Sequence, residues 1–162
     1  MHIYAIADLH LSGEPASKPM DKFGMHWADH KDKIKNNWLN MVKPEDYVII
    51  AGDISWAMTF AEAAMDLEWV AQLPGHKILL RGNHDYWWAS ISKMRNAYPD
   101  FIFLQNDSTI IELEDGQKIA ICGTRGWVLP SSERFSEEDN KIYLREGIRL
   151  ELGLQQAVKL EP

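Results

Sequence analysis

Residues 47–57 read Tyr-Val-Ile-Ile-Ala-Gly-Asp-Ile-Ser-Trp-Ala. The apolar run Tyr47–Ala51 has the length and β-branched content of a buried strand, and Gly52-Asp53 ends it in a turn signal followed at once by a carboxylate. The same arrangement occurs on either side. Upstream, the apolar run His2–Ala7 closes in Asp8-Leu9-His10, and downstream Lys77–Leu80 closes in Arg81-Gly82-Asn83-His84-Asp85. Helical patterns separate these runs. Within Asp29–Val42, Ile34, Trp38, Met41 and Val42 share one helical face, with Pro44 beyond the end. Thr59 and Glu62 have capping-box spacing, and Phe60, Ala63, Ala64, Leu67, Val70 and Ala71 follow with the helical period until Pro74-Gly75. Strands alternating with helices predict an α/β core with at least some parallel strands.

Further along, Thr109–Leu113 and Lys118–Cys122 flank Glu114-Asp115-Gly116 and predict a hairpin. Ser136 with Asp139 predicts a capped helix reaching about Lys159, through Gly147 and Gly153. Leu11–His26 and Arg125–Ser136 show no period and read as loops.

A chain of 162 residues suits one domain, and 46% hydrophobic with 25% charged residues is ordinary for a globular protein. Disordered, collagen-like and membrane classes are excluded on composition. The net charge of −7 argues against general nucleic-acid binding, which needs a basic footprint, but not against holding a phosphate through cations. A single cysteine, Cys122, precludes an intrachain disulfide and reads as a small buried hydrophobe. The N-terminus lacks the pattern of a signal peptide, so a cytoplasmic setting without membrane association is expected. No serine nucleophile elbow and no Walker loop is present.

In α/β sheets ligands sit beyond the carboxyl ends of the strands, where the three polar clusters fall. Asp8 and His10, two apart in extended chain, are expected to share a face. Together with Asp53 and Asn83 they offer oxygen and imidazole donors suited to Mn²⁺, Fe or Zn²⁺. Asp53 is placed to bridge two ions, His84 to protonate a leaving group, and Asp85 to orient His84. Trp56 and Trp127 are candidate pocket walls and Arg125 a candidate phosphate partner; for each, a packing or solvated-loop role is the competing reading.

Asp8-x-His10, Gly52-Asp53 and Gly82-Asn83-His84-Asp85, each after a strand and in this order, resemble the calcineurin-like metallophosphoesterase superfamily. Gly52–Ala57 and Gly123–Trp127 look like its bacterial branch of predicted phosphohydrolases. The resemblance implies a two-layer β-sandwich flanked by helices and a dinuclear centre. In it Asp8 and His10 bind the first metal, Asp53 bridges, Asn83 binds the second, and His84 is catalytic. It implies hydrolysis of a phosphate mono- or diester by metal-bound hydroxide, with a phosphorylated small molecule or phosphodiester as substrate. The alternatives are a non-catalytic binding module of the same fold or an inactive fragment. The pattern departs in two places. An acid often follows the bridging Asp by three residues, where Trp56 stands here. Later His ligands, including a Gly-His-x-His motif, have no counterpart, because no His follows His84. Residues 1–162 are therefore expected to be the N-terminal portion of such a domain, incomplete at its C-terminus, with weak metal binding and slow turnover.

Overall fold

The computed structural model describes residues 1–160, which divide into two compact units, Met1–Phe103 and Leu104 onward. In the first, four strands form one sheet in the order β1 (Ile3–Ile6), β2 (Tyr47–Ile50), β3 (His76–Leu79), β4 (Phe101–Phe103). All three pairings are parallel. Parallel neighbours need a crossover, and each connection carries a helix: α1 (His30–Met41), α2 (Ala64–Ala71) and α3 (Ile91–Ala97).

The register explains the burial. Val48 pairs with Lys77 and Ile50 with Leu79, and these in turn align with Phe101 and Phe103. Residues in register point to the same face of a sheet. This face packs with Trp38 and Val42 from α1, Leu67 and Val70 from α2 and Met94 from α3 into one apolar cluster. Lys77 lies on the same face and is buried, so its ammonium group must find oxygen. Its Nζ donates to the Leu73 and Ala71 carbonyls at the end of α2, where a cation also meets the negative end of the helix dipole. Burial pushes its pKa down, against the opposing pull of Asp100.

The second unit holds the expected hairpin, β5 (Ser108–Glu112) paired antiparallel with β6 (Lys118–Cys122), and the helix α4 (Glu137–Lys159). The Ser136/Asp139 capping box is formed in both directions. Ser136→Ala is expected to cost about 1 kcal/mol, read as a lowered melting temperature. Gly153 does not interrupt α4. An added Cβ there would lie 3.2 Å from the Asp107 carbonyl and 3.3 Å from Cys122 Cβ, so the glycine permits close helix–hairpin packing. Cys122 itself is half-buried.

The α/β class, the parallel strands and the hairpin match the reading of the sequence. Two elements were not visible in it. α3 is only seven residues long and β4 only three, too short for either periodicity to register. The helix expected from Thr59 begins at Ala64. The Thr59–Glu62 reciprocal hydrogen bonds do form, at 3.3 Å (Glu62 N to Thr59 Oγ1) and 3.2 Å (Thr59 N to Glu62 Oε2), but over a turn that precedes it. The loop Leu11–His26 contains a short 3-10 turn at Met20–Phe23, and a second spans Met25–Trp27.

Candidate metal centre

Beyond β1 and β2 the chain turns sharply, and three side chains converge. Asp8, His10 and Asp53 each place a donor atom within 4.8 Å of the others. His10 Nε2 lies 3.4 Å from Asp8 Oδ1. The route differs from the extended chain expected for Asp8-x-His10. β1 ends at Ile6, and Asp8, His10 and Asp53 all adopt left-handed backbone, with φ of 57°, 45° and 52°. Asp and His tolerate this region better than most residues, yet it still costs energy and persists only where neighbours impose it.

Those neighbours are visible. The backbones of the first two loops run together, with Asp8 N bonded to Gly52 O at 3.1 Å and His10 N to Asp53 O at 2.9 Å. Gly52 and Gly82 let the second and third loops touch. A Cβ on Gly52, whose φ is +99°, would lie 2.6 Å from Gly82 Cα, and one on Gly82 would lie 2.1 Å from Asp53 N and Oδ1. His84 N then donates to Asp53 Oδ1 at 2.9 Å.

Trp56 forms a wall of the cluster. Its ring stacks on His10 at 4.7 Å and 16°, and lies 4.8 Å from the His84 ring. Its Nε1 donates to Met20 Sδ, and Lys18 Nζ sits 4.5 Å over the ring. Trp27 meets His10 edge-on, and His30 Nε2, 3.1 Å from the Leu9 carbonyl, donates to it. Nothing in the spacing of Trp27 or His30 pointed to this site. Burial pushes the His10 pKa down, while Asp53 and Asp8 oppose the shift. A buried neutral imidazole keeps a lone pair available for a cation.

Asp85 occupies a different place from the one its sequence position suggests. It is fully buried, and its carboxylate does not bond the His84 ring. Oδ1 accepts from Ile54 N at 2.8 Å, Ser55 N at 3.2 Å and Trp87 Nε1 at 2.8 Å, and Oδ2 accepts from Gly82 N at 2.7 Å. It therefore ties the Asp53 loop to the His84 loop. Burial raises its pKa, and the four hydrogen bonds resist that rise. Asp85→Ala would leave four inward-facing donors without an acceptor and is expected to cost at least about 3 kcal/mol, measurable by denaturant unfolding.

Asn83 is exposed and directly precedes His84. Arg125 and Trp127 belong to the second unit. There the Arg125 guanidinium lies 4.7 Å over the Trp127 ring and 3.5 Å from Glu146 Oε1, and Trp127 Nε1 donates to Asp139 at 2.8 Å. Both side chains thus have structural partners within that unit. A cavity of about 470 Å³ opens between β1 and α1, lined by Tyr4, Ile6, Ile34, Trp38 and Val42, with Asp8 at its edge. Among the described residues, no helix is long and apolar enough to cross a membrane.

The chain is 35% identical over 86 residues to the Gene 66 protein of Mycobacterium phage D29, a match spanning 52% of this chain and 40% of the phage protein. A crystal structure of AQ665, a protein of unknown function from Aquifex aeolicus, superposes with a TM-score of 0.51 at 27% identity, covering 91% of this chain and 75% of that one. The model of the calcineurin-like phosphoesterase family matches residues 1–147, across the loops that carry Asp8, His10, Asp53 and His84, and the chain belongs to that family.

Proposed function

We propose that the chain hydrolyses phosphate mono- or diesters at the cluster of Asp8, His10 and Asp53, with Asn83 from the adjoining loop as a further ligand. The observation that carries this reading is the convergence of Asp8, His10 and Asp53 within 4.8 Å, with His84 hydrogen-bonded through its backbone to Asp53. The donor set fits a divalent cation. Two carboxylates and a buried imidazole suit Mn²⁺, Fe or Zn²⁺, and soft thiolates are missing from the cluster. Asp8, His10 and Asp53 would hold the first ion, and Asp53 with the exposed Asn83 the second. When bound, such cations supply Lewis acidity that neutralises phosphoryl charge and lowers the pKa of water.

The protein's own groups supply the rest. His84 faces Trp56 beside the cluster, half-buried, where its ring can pass a proton to a departing ester oxygen. Trp56 excludes water from one side of His10, and Asp85 fixes the loop carrying Asp53. The largely apolar cavity, whose lining includes Asp8, gives an ester's organic group room. The second ion has fewer donors than the first, so slow turnover and weak second-site affinity are expected.

The test is hydrolysis of an aryl phosphate and an aryl phosphodiester with added Mn²⁺, paired with metal content by elemental analysis. Wild-type turnover that disappears in Asp53→Ala, together with its bound metal, is the expected result. Stoichiometric metal without turnover would instead assign a binding module, and no bound metal would refute the centre.

A further inference from the structure

We propose that Asp66, on α2, is a positioning residue of the metal centre: it fastens the loops after β1 and β2 to each other and so holds Trp56 in its stack against His10. The inference rests on the metal-centre reading above. Asp66 is 2% exposed and lies outside every motif in the sequence. A buried carboxylate needs donors, and its two oxygens find them in two different loops. Oδ1 accepts from Gly13 N at 2.9 Å, three residues past His10. Oδ2 accepts from Ser55 Oγ at 2.5 Å, two residues past Asp53 and next to Trp56. Ser55 Oγ accepts in turn from Ala57 N at 3.1 Å, closing a turn around Trp56.

The two loops so joined also zip together. Leu11 and Ser55 form an isolated parallel bridge, with Leu11 N bonded to Ile54 O at 2.9 Å and Trp56 N to Leu11 O at 2.8 Å. Asp66 clamps the far end of this bridge and Asp85 the near end, where it receives Ile54 N and Ser55 N. The clamped residues closely follow the three donor residues, all in left-handed backbone, a conformation that relaxes once its surroundings no longer impose it. The stack of Trp56 on His10 spans the two loops directly, so its geometry reports whether they keep their register. Residues that orient a metal's ligands typically govern its affinity by about 10–100-fold on mutation.

Asp66→Asn keeps the volume but offers a single acceptor: with Oδ1 on Gly13 N, Nδ2 faces Ser55 Oγ, and the Ser55 hydroxyl proton loses its acceptor. The experiment compares it with wild type by calorimetric titration of Mn²⁺ and by ¹⁹F NMR of metal-free protein labelled with 5-fluorotryptophan, with the Trp56 line assigned from Trp56→Phe. The expected result is a folded protein whose Mn²⁺ affinity falls about 10–100-fold and whose Trp56 line shifts or broadens. A lowered melting temperature with unchanged Mn²⁺ affinity and an unchanged Trp56 line would reduce Asp66 to a structural part and overturn the proposal. Should Asp66→Asn not fold, Ser55→Ala removes only the hydroxyl and carries the same expectations. Wild type that binds no Mn²⁺ would refute the metal centre; the Trp56 line would then still decide whether Asp66 sets the stack.

Discussion

Replacing His84 by alanine is expected to lower kcat for an aryl phosphate by about 10²–10⁴-fold while leaving Mn²⁺ affinity close to that of wild type. The split follows from how His84 is tied to the site. Its contact with Asp53 is made by the backbone N–H, at 2.9 Å to Oδ1, and alanine retains that donor. What alanine removes is the ring, which rests 4.8 Å from Trp56 and 6.1 Å from His10 and is not one of the convergent donors. Loss of proton transfer without loss of metal is therefore the signature of a general acid, and it appears in kcat. Loss of metal together with activity would make the ring a ligand. Unchanged kcat would leave the leaving oxygen to be protonated by water. Asp85 offers no competing acid, since it is fully buried and its carboxylate is engaged by four donors.

The sequence made the positions of the chemistry legible and left its support hidden. Asp8, His10, Asp53 and His84 stood out because each follows an apolar run, and a parallel α/β sheet collects strand ends on one side. Asp8 and His10 meet through two left-handed residues rather than along an extended strand. Local pattern cannot show this, because the backbone there is imposed by hydrogen bonds that Asp8 N and His10 N donate to the Gly52 and Asp53 carbonyls, more than forty residues away. The same limit hid Asp66, Trp27 and His30, whose roles depend on tertiary contacts alone. It also misdirected the reading of Asp85, which neighbours His84 in sequence yet serves Ile54, Ser55, Gly82 and Trp87. Arg125 and Trp127 stand out because they follow a strand in a glycine-flanked run, and within the second unit they contact Glu146 and Asp139.

Gly82→Ala is expected to be the most damaging single methyl group in the protein. The added Cβ would lie 2.1 Å from both the backbone nitrogen and Oδ1 of Asp53, and 2.8 Å from its Cγ. No rotamer of Asp53 relieves this, because one of the two closest atoms is backbone. Nor can the glycine's own loop retreat freely. Gly82 N is held by Asp85 Oδ2 at 2.7 Å, and the Gly52 backbone presses on it from the β2 side. Relief must come from separating the ends of β2 and β3, which breaks contacts of Asp85 and displaces Asp53. The expected cost is at least about 3 kcal/mol, the upper range for overpacking, or a fall in melting temperature of roughly 6–12 °C for a chain of this size. Any protein that remains folded should have lost Mn²⁺ binding, since Asp53 moves with the loop. Gly147→Ala is the matched control. That glycine lies inside α4 with nothing within 4 Å of an added Cβ, so the same methyl group should stabilise by about 0.5–1 kcal/mol through helix propensity. Opposite signs at the two glycines would locate the damage in the contact with Asp53 rather than in the chemistry of a glycine replacement. A mild effect at Gly82 would mean that the loops after β2 and β3 can part without disturbing the carboxylate, and the tight apposition inferred for this site would be wrong.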